Sequence, residues 1–164
     1  MRTVLIYCLL LFAFSGWAQQ SFPTRCSGTW EGWMYIYSRG VLRDSVWVRH
    51  VVNPIDSSSW TWRTEYLSDK LPMVKDYVLR ARDKAGIEYV IDEGGGIEIP
   101  MHLVGNRLYG IFETQGILLT ASDELTPEGL ILEVVSARRV SQSDSLVINF
   151  QVNAVQRALL KKIL

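Results

Sequence analysis

The sequence is poor in the residues that build metal and redox sites. It contains two Cys and two His in 164 residues, and none of them has the short spacing typical of zinc ligands. Glu98 and His102 share a strand face, but four residues of strand separate their Cα atoms by ~13 Å. We therefore expect the His side chains to be hydrogen-bonded or at the surface and not to bind a metal. We expect neither a metal nor a cofactor.

The sequence also has no excess of either charge, because 17 Lys and Arg balance 17 Asp and Glu. Nucleic-acid binding favours a basic face, so we expect no nucleic-acid partner. The sequence has no Gly-x-Ser-x-Gly elbow. The Gly run at 94–96 lacks the Lys and Ser/Thr of a phosphate loop and leads into a strand. We therefore expect no catalytic residue, with an enzyme as the lesser alternative.

No apolar run is long enough for a transmembrane helix. The longest candidate covers residues 4–14, whereas a spanning helix needs ~20 residues. Arg2 precedes this run and Gly16-Trp17-Ala18 follows it, which is the pattern of a cleavable secretory signal over residues 1–18. We expect an exported, soluble protein of the periplasm or extracellular medium, without a transmembrane anchor.

Two alternatives to a soluble exported product are disfavoured. Lipidation needs a Cys just after the cleavage point, preceded by small apolar residues. Neither Cys8 nor Cys26 is preceded by such residues. An outer-membrane barrel needs an uninterrupted lipid-facing band, which charges such as Arg49 and Glu65 would break. Within residues 19–164 Cys26 has no second Cys to pair with, so a buried or free thiol is expected, an intermolecular bridge being the alternative.

The remaining chain consists of short runs rich in Val, Ile, Tyr and Trp, separated by Gly and Asn turns, which predicts strands. The runs cover roughly 29–38, 43–53, 59–67, 74–83, 86–93, 97–104, 106–114, 116–123, 129–139 and 145–155. Connections this short make neighbouring strands antiparallel, and closure removes the exposed edges of a meander. We predict an all-β, up-and-down antiparallel barrel of eight to ten strands.

The barrel is predicted over residues 28–155, after an N-terminal extension at 19–27. The C-terminal residues 156–164 carry apolar positions at a spacing that suits either a short amphipathic helix or an extension of the last strand. Basic residues near a helix C-terminus are favourable, so a tail or short helix is slightly favoured.

Gly28-Thr29-Trp30 stands at the start of the first predicted strand. A Gly-x-Trp in that position, followed by a β meander, resembles the calycin superfamily of lipocalins, fatty-acid-binding proteins and nitrobindin-like barrels. The resemblance implies structural roles for Gly28 and for Trp30, which would close one end and pack on an Arg of a late strand, Arg138 or Arg139. Nitrobindin-like barrels bind haem through a late His, and this chain has no His after His102, so haem is not expected.

Aromatic residues concentrate in the first three predicted strands, where every Trp beyond residue 18 lies between 30 and 62. They indicate either an aromatic-walled ligand cavity or ordinary core and cross-strand pairing. Arg80 would bind a ligand carboxylate if it points inward and would be solubilising if it points outward. The candidate ligand-binding residues are Trp30, Trp47, Trp60, Trp62, Tyr77 and Arg80.

Together these patterns predict an exported, monomeric lipocalin-like barrel that binds a small, mostly apolar, lipid-like molecule in its interior. The alternative is a packed barrel without a cavity that acts as an interaction module of the cell envelope, with exposed aromatic side chains as its binding surface.

Overall fold

The computed structural model describes residues 20–70, 72–140 and 146–163; the predicted signal peptide lies outside these ranges. The elements are α1 (Phe22–Arg25), β1 (Gly28–Ser38), β2 (Val41–Val52), β3 (Ser59–Leu67), β4 (Met73–Ala81), β5 (Glu88–Gly94), β6 (Ile97–Val104), β7 (Arg107–Thr114), β8 (Ile117–Thr126), β9 (Gly129–Val140) and β10 (Asn149–Ile163).

The ten strands form one closed barrel in which each strand pairs with its neighbours in sequence, and β10 returns to pair with β1. All pairings are antiparallel. The predicted all-β meander and its closure are thus confirmed. Closure satisfies the backbone N–H and C=O groups that two open edges would leave unpaired.

The C-terminal residues are strand, so the predicted short helix is wrong and the alternative, an extended last strand, is correct. β10 runs to Ile163, which pairs with Thr29 at the start of β1. Leu160 is fully buried whereas Leu159 is exposed, the alternation of a strand. The barrel therefore continues beyond residue 155, because the first residues of β1 need a hydrogen-bonding partner that a helix could not provide.

Alternation along the strands separates a packed interior from a charged exterior. On β2, Val48, His50 and Val52 are buried, as the sequence pattern predicts. The residues between them face outward, where Arg49 bonds Glu31 at 2.6 Å and Glu65 at 3.5 Å. Such ion pairs connect neighbouring strands on the outer face of β1 to β3.

The two ends of the barrel differ. At one end α1 lies against the interior: Phe22 is buried with its ring centroid 6.4 Å from that of Trp62, and Arg25 Nη1 donates to Asn106 Oδ1 at 2.7 Å. We call this the closed end. The opposite end carries the turns at 39–40, 95–96 and 115–116, and we call it the open end because no helix among the described residues lies there. In the part of the chain that the structure describes, no helix is long and apolar enough to cross a membrane.

Candidate functional site

The barrel interior contains a cavity of about 160 Å³ between the closed end and the open end. Strands from all around the barrel contribute inward side chains to its wall. The polar and aromatic members of the wall are His50, Trp62, Thr64, Tyr66, Lys75, Tyr77, Glu93, Phe112 and Asp123; the remainder is aliphatic or Met.

Asp123 and Trp62 meet across the interior. The indole Nε1–H of Trp62 on β3 donates to Asp123 Oδ2 on β8 at 3.0 Å, and both residues are buried. Burial raises the pKa of the Asp123 carboxyl to about 6, and the Trp62 hydrogen bond lowers it in part. At neutral pH the site therefore holds a carboxylate in largely apolar surroundings, which a positive or hydrogen-bond-donating group would stabilise.

His50 lies beside this pair. Its Nδ1 is 2.9 Å from Thr64 Oγ1 on the neighbouring strand, and its ring meets the Trp62 ring edge-on with centroids 5.0 Å apart. Burial lowers the pKa of His50 to about 3, so the imidazole is neutral at physiological pH. Its Nε2 is buried without a hydrogen-bond partner among the described residues. A buried polar atom left in this state calls for a ligand or an ordered water.

Towards the open end the cavity wall becomes more polar. Lys75 Nζ lies 5.8 Å from the centroid of the Tyr66 ring. Burial raises the pKa of the Tyr77 hydroxyl to about 12, and its hydrogen bond to Glu93 adds to the shift. Burial, and after it the Asp123 carboxylate, raises the pKa of Tyr66. Both phenols therefore stay neutral, and both residues line the cavity.

The structure divides the predicted ligand-binding residues into three groups. Trp62 and Tyr77 line the cavity. Trp30 and Trp60 point inward and are buried, but they lie nearer the closed end and do not contribute to the cavity wall described above.

Trp47 and Arg80 form the third group and lie on the outer surface, so naming them as ligand-binding residues of the interior is wrong. Trp47 Nε1 donates to Glu31 Oε2 at 3.3 Å, and Arg80 bonds Asp92 at 2.6 Å. Both follow from the two-residue alternation, because the neighbours of Trp47 on β2 and of Arg80 on β4 fill the interior.

Trp30 packs near the closed end, where the resemblance implies a Trp. The cation beside its ring is Lys162 and not Arg138 or Arg139. Lys162 Nζ lies 5.4 Å from the Trp30 ring centroid, and the indole Nε1–H donates to the Cys26 carbonyl at 2.7 Å. Arg138 and Arg139 are exposed near the open-end terminus of β9, so the predicted stacking of either on Trp30 is wrong. Lys162 is the cation beside Trp30 because β10 extends far enough for Lys162 to pair with Trp30 of β1.

Gly28, for which the resemblance implies a structural role, lies at the start of β1 in a conformation that suits glycine. Its φ is +127°, in the region where residues with a side chain are strained. An added Cβ would also lie 2.6 Å from the Lys162 Cε. Gly28 thus leaves space for the Lys162 chain over Trp30. Cys26, just before it, is a fully buried free thiol, and burial raises its pKa to about 12.

Sequence reasoning missed His50, Thr64, Tyr66 and Asp123 as site residues. One signal was available for Asp123, since it stands in phase with Leu119 and Ala121 on β8 and all three line the cavity. An acidic residue at an inward position of a strand is unusual unless it is paired or functional.

The fold defines the chain as a ten-stranded closed antiparallel barrel. It is similar to a solved structure described as the crystal structure of Rv2717c from M. tuberculosis, with a TM-score of 0.54 and 13% sequence identity over 84% of this chain and 93% of that chain. No protein-family model and no curated protein matches the sequence. The likeness supports the barrel fold, and membership of the calycin superfamily stays a prediction.

Proposed function

We propose that this protein binds a small, mostly apolar molecule inside its barrel. The observation that carries the proposal is the interior cavity, whose wall combines aromatic rings with the buried polar side chains of His50 and Asp123. Protein interiors are otherwise packed with few voids larger than a water molecule. An aromatic-walled cavity with a few polar groups is the usual form of a small-molecule site.

The size of the cavity limits the ligand. A cavity of ~150 Å³ in another protein holds one benzene molecule, and the cavity here is about 160 Å³. A single ring with a short substituent matches this volume. We therefore propose, within the lipid-like class suggested by the sequence, a small molecule rather than a long-chain one.

The role we propose is one of binding without catalysis. It would be carried out by a monomer after export, as the signal-like residues 1–18 suggest, with the chain in the periplasm or outside the cell. A buried neutral His and a buried carboxylate can orient a ligand. We assign to the contact between His50 Nδ1 and Thr64 Oγ1, at 2.9 Å, the role of orienting the imidazole.

Titration calorimetry with benzyl alcohol tests the proposal. We expect binding to the wild-type protein and at least a tenfold loss in Ala121→Leu, because Ala121 lines the cavity and a larger side chain fills it. Thr120→Leu is the matched control, since Thr120 is the outward neighbour on β8 and should leave binding unchanged. Equal affinities in the two variants would contradict interior binding.

A second candidate function rests on the outer face of β10, β1 and β2. Trp33, Tyr35, Leu159 and Ile163 are all more than 40% exposed there, and Trp33 meets Trp47 edge-on with ring centroids 5.5 Å apart. We propose, as the alternative, that this surface serves an envelope interaction module. That role would be favoured if benzyl alcohol does not bind and Trp33→Ala reduces association with isolated cell-envelope fractions.

A further inference from the structure

We propose that the ligand of the interior cavity is a small organic cation, a single ring or short branched alkyl group carrying an ammonium nitrogen that sits against Asp123. The inference rests on the proposed binding function and specifies its ligand class.

The charged side chains of the cavity wall favour a cation. Asp123 and Glu93 supply two carboxylates, against one ammonium from Lys75. Asp123 is the deepest of the three, being buried beside Trp62, while Lys75 and Glu93 lie towards the open end. A ligand carboxylate at the inner end would meet Asp123 as a like charge, so a small acid is disfavoured.

Ring faces around the cavity add a second attraction for a cation. Trp62, Tyr66, Tyr77 and Phe112 all contribute to the wall. The negative face of an aromatic ring attracts an ammonium group, more strongly when water is excluded. Lys75 Nζ, 5.8 Å from the centroid of the Tyr66 ring, is an instance of this contact between two residues of the wall.

The hydrogen-bonding groups at the inner end are mainly acceptors. A carboxylate offers about four acceptor sites, and the Trp62 indole takes one on Asp123 Oδ2. An ammonium has several N–H groups to donate to the remaining acceptor sites of Asp123, whereas a hydroxyl has one.

Three probes with one carbon skeleton and different charge test this inference by calorimetry at pH 7.5: benzylamine as its cation, benzyl alcohol, and benzoate. For the wild-type protein we expect benzylamine to bind about tenfold tighter than benzyl alcohol, with benzoate the weakest. Asp123→Asn keeps the shape and can still accept from Trp62, so it should bind benzyl alcohol nearly unchanged and lose the preference for benzylamine.

Glu124→Gln is the matched control, because Glu124 follows Asp123 on β8 and faces outward towards Arg107 at 3.6 Å. It removes the same charge from the outer surface and should keep the wild-type ranking of the probes. A preference for benzylamine that survives in Asp123→Asn would overturn the role of Asp123.

The ranking on the wild-type protein decides the charge preference even if Asp123→Asn does not fold. Benzyl alcohol or benzoate binding tighter than benzylamine would overturn the cation inference and leave interior binding intact. Failure of all three probes to bind would overturn the inference and the proposed function together.

Discussion

The indole of Trp62 and the carboxylate of Asp123 are hydrogen-bonded at 3.0 Å although 61 residues separate them in sequence. The strands that carry them, β3 and β8, are not neighbours in the barrel, so the bond crosses the interior. It fixes the ring that His50 and Phe22 both contact. The same bond therefore connects the packing near α1 to the cavity.

Replacing Trp62 by Phe should destabilise the protein by about 2–3 kcal/mol at pH 8, because a buried hydrogen bond to a charged group contributes ~1.5–3 kcal/mol. Urea denaturation measures the change. Trp33→Phe is the control, since Trp33 is 48% exposed on the outer face, and it should lose less than about 1 kcal/mol. Similar losses in the two variants would show that the Trp62–Asp123 bond contributes little.

Asp123 should make the protein less stable as the pH rises from 4 to 6. Its pKa is about 6 in the folded state and 3.8 as the ordinary value, so in this window the folded chain holds a proton that the unfolded chain releases. The stability of Asp123→Asn relative to wild type should therefore increase by up to about 3 kcal/mol between pH 4 and pH 7. Urea titrations across this range measure the difference, and a constant difference would contradict a buried carboxyl at this position.

His50 should act in the opposite direction. Its pKa is about 3 when folded and 6.5 as the ordinary value, so below pH 6.5 the unfolded chain takes up a proton that the folded chain does not. Its stabilising contribution is complete above pH 6.5 and is lost as the pH falls towards 3. Nitrogen NMR of the imidazole should show a neutral ring from pH 8 down to pH 4, and a titration midpoint near 6.5 would contradict its burial.

The sequence predicts the barrel well because its dominant signals are local. Alternating Val48, His50 and Val52, and the Gly turns between strands, suffice to predict antiparallel neighbours and the face that packs inward. The same alternation predicts that Tyr77 and Arg80 lie on opposite faces of β4. In the structure Tyr77 lines the cavity and Arg80 pairs with Asp92 on the outer face.

The parts that could not be predicted depend on partners far apart in sequence. Residues 156–163 have a spacing compatible with a helix, and only the need of β1 for a second partner makes them a strand. Asp123 becomes a site residue because β8 faces Trp62 across the barrel. No periodicity within one strand contains the information that brings these two residues together.

Lys162 over Trp30 is the contact that replaces the Arg expected from the Gly-x-Trp resemblance. Its Nζ lies 5.4 Å from the ring centroid, and cation–π contacts of this kind contribute ~0.5–1 kcal/mol at exposed sites. Lys162→Met keeps much of the apolar chain and removes the charge, so we expect a loss of about that size in urea denaturation. Arg139→Met, at the open-end terminus of β9, is the control and should change stability by less than about 0.5 kcal/mol. A larger loss of stability in Arg139→Met than in Lys162→Met would contradict a stabilising contact between Lys162 and Trp30.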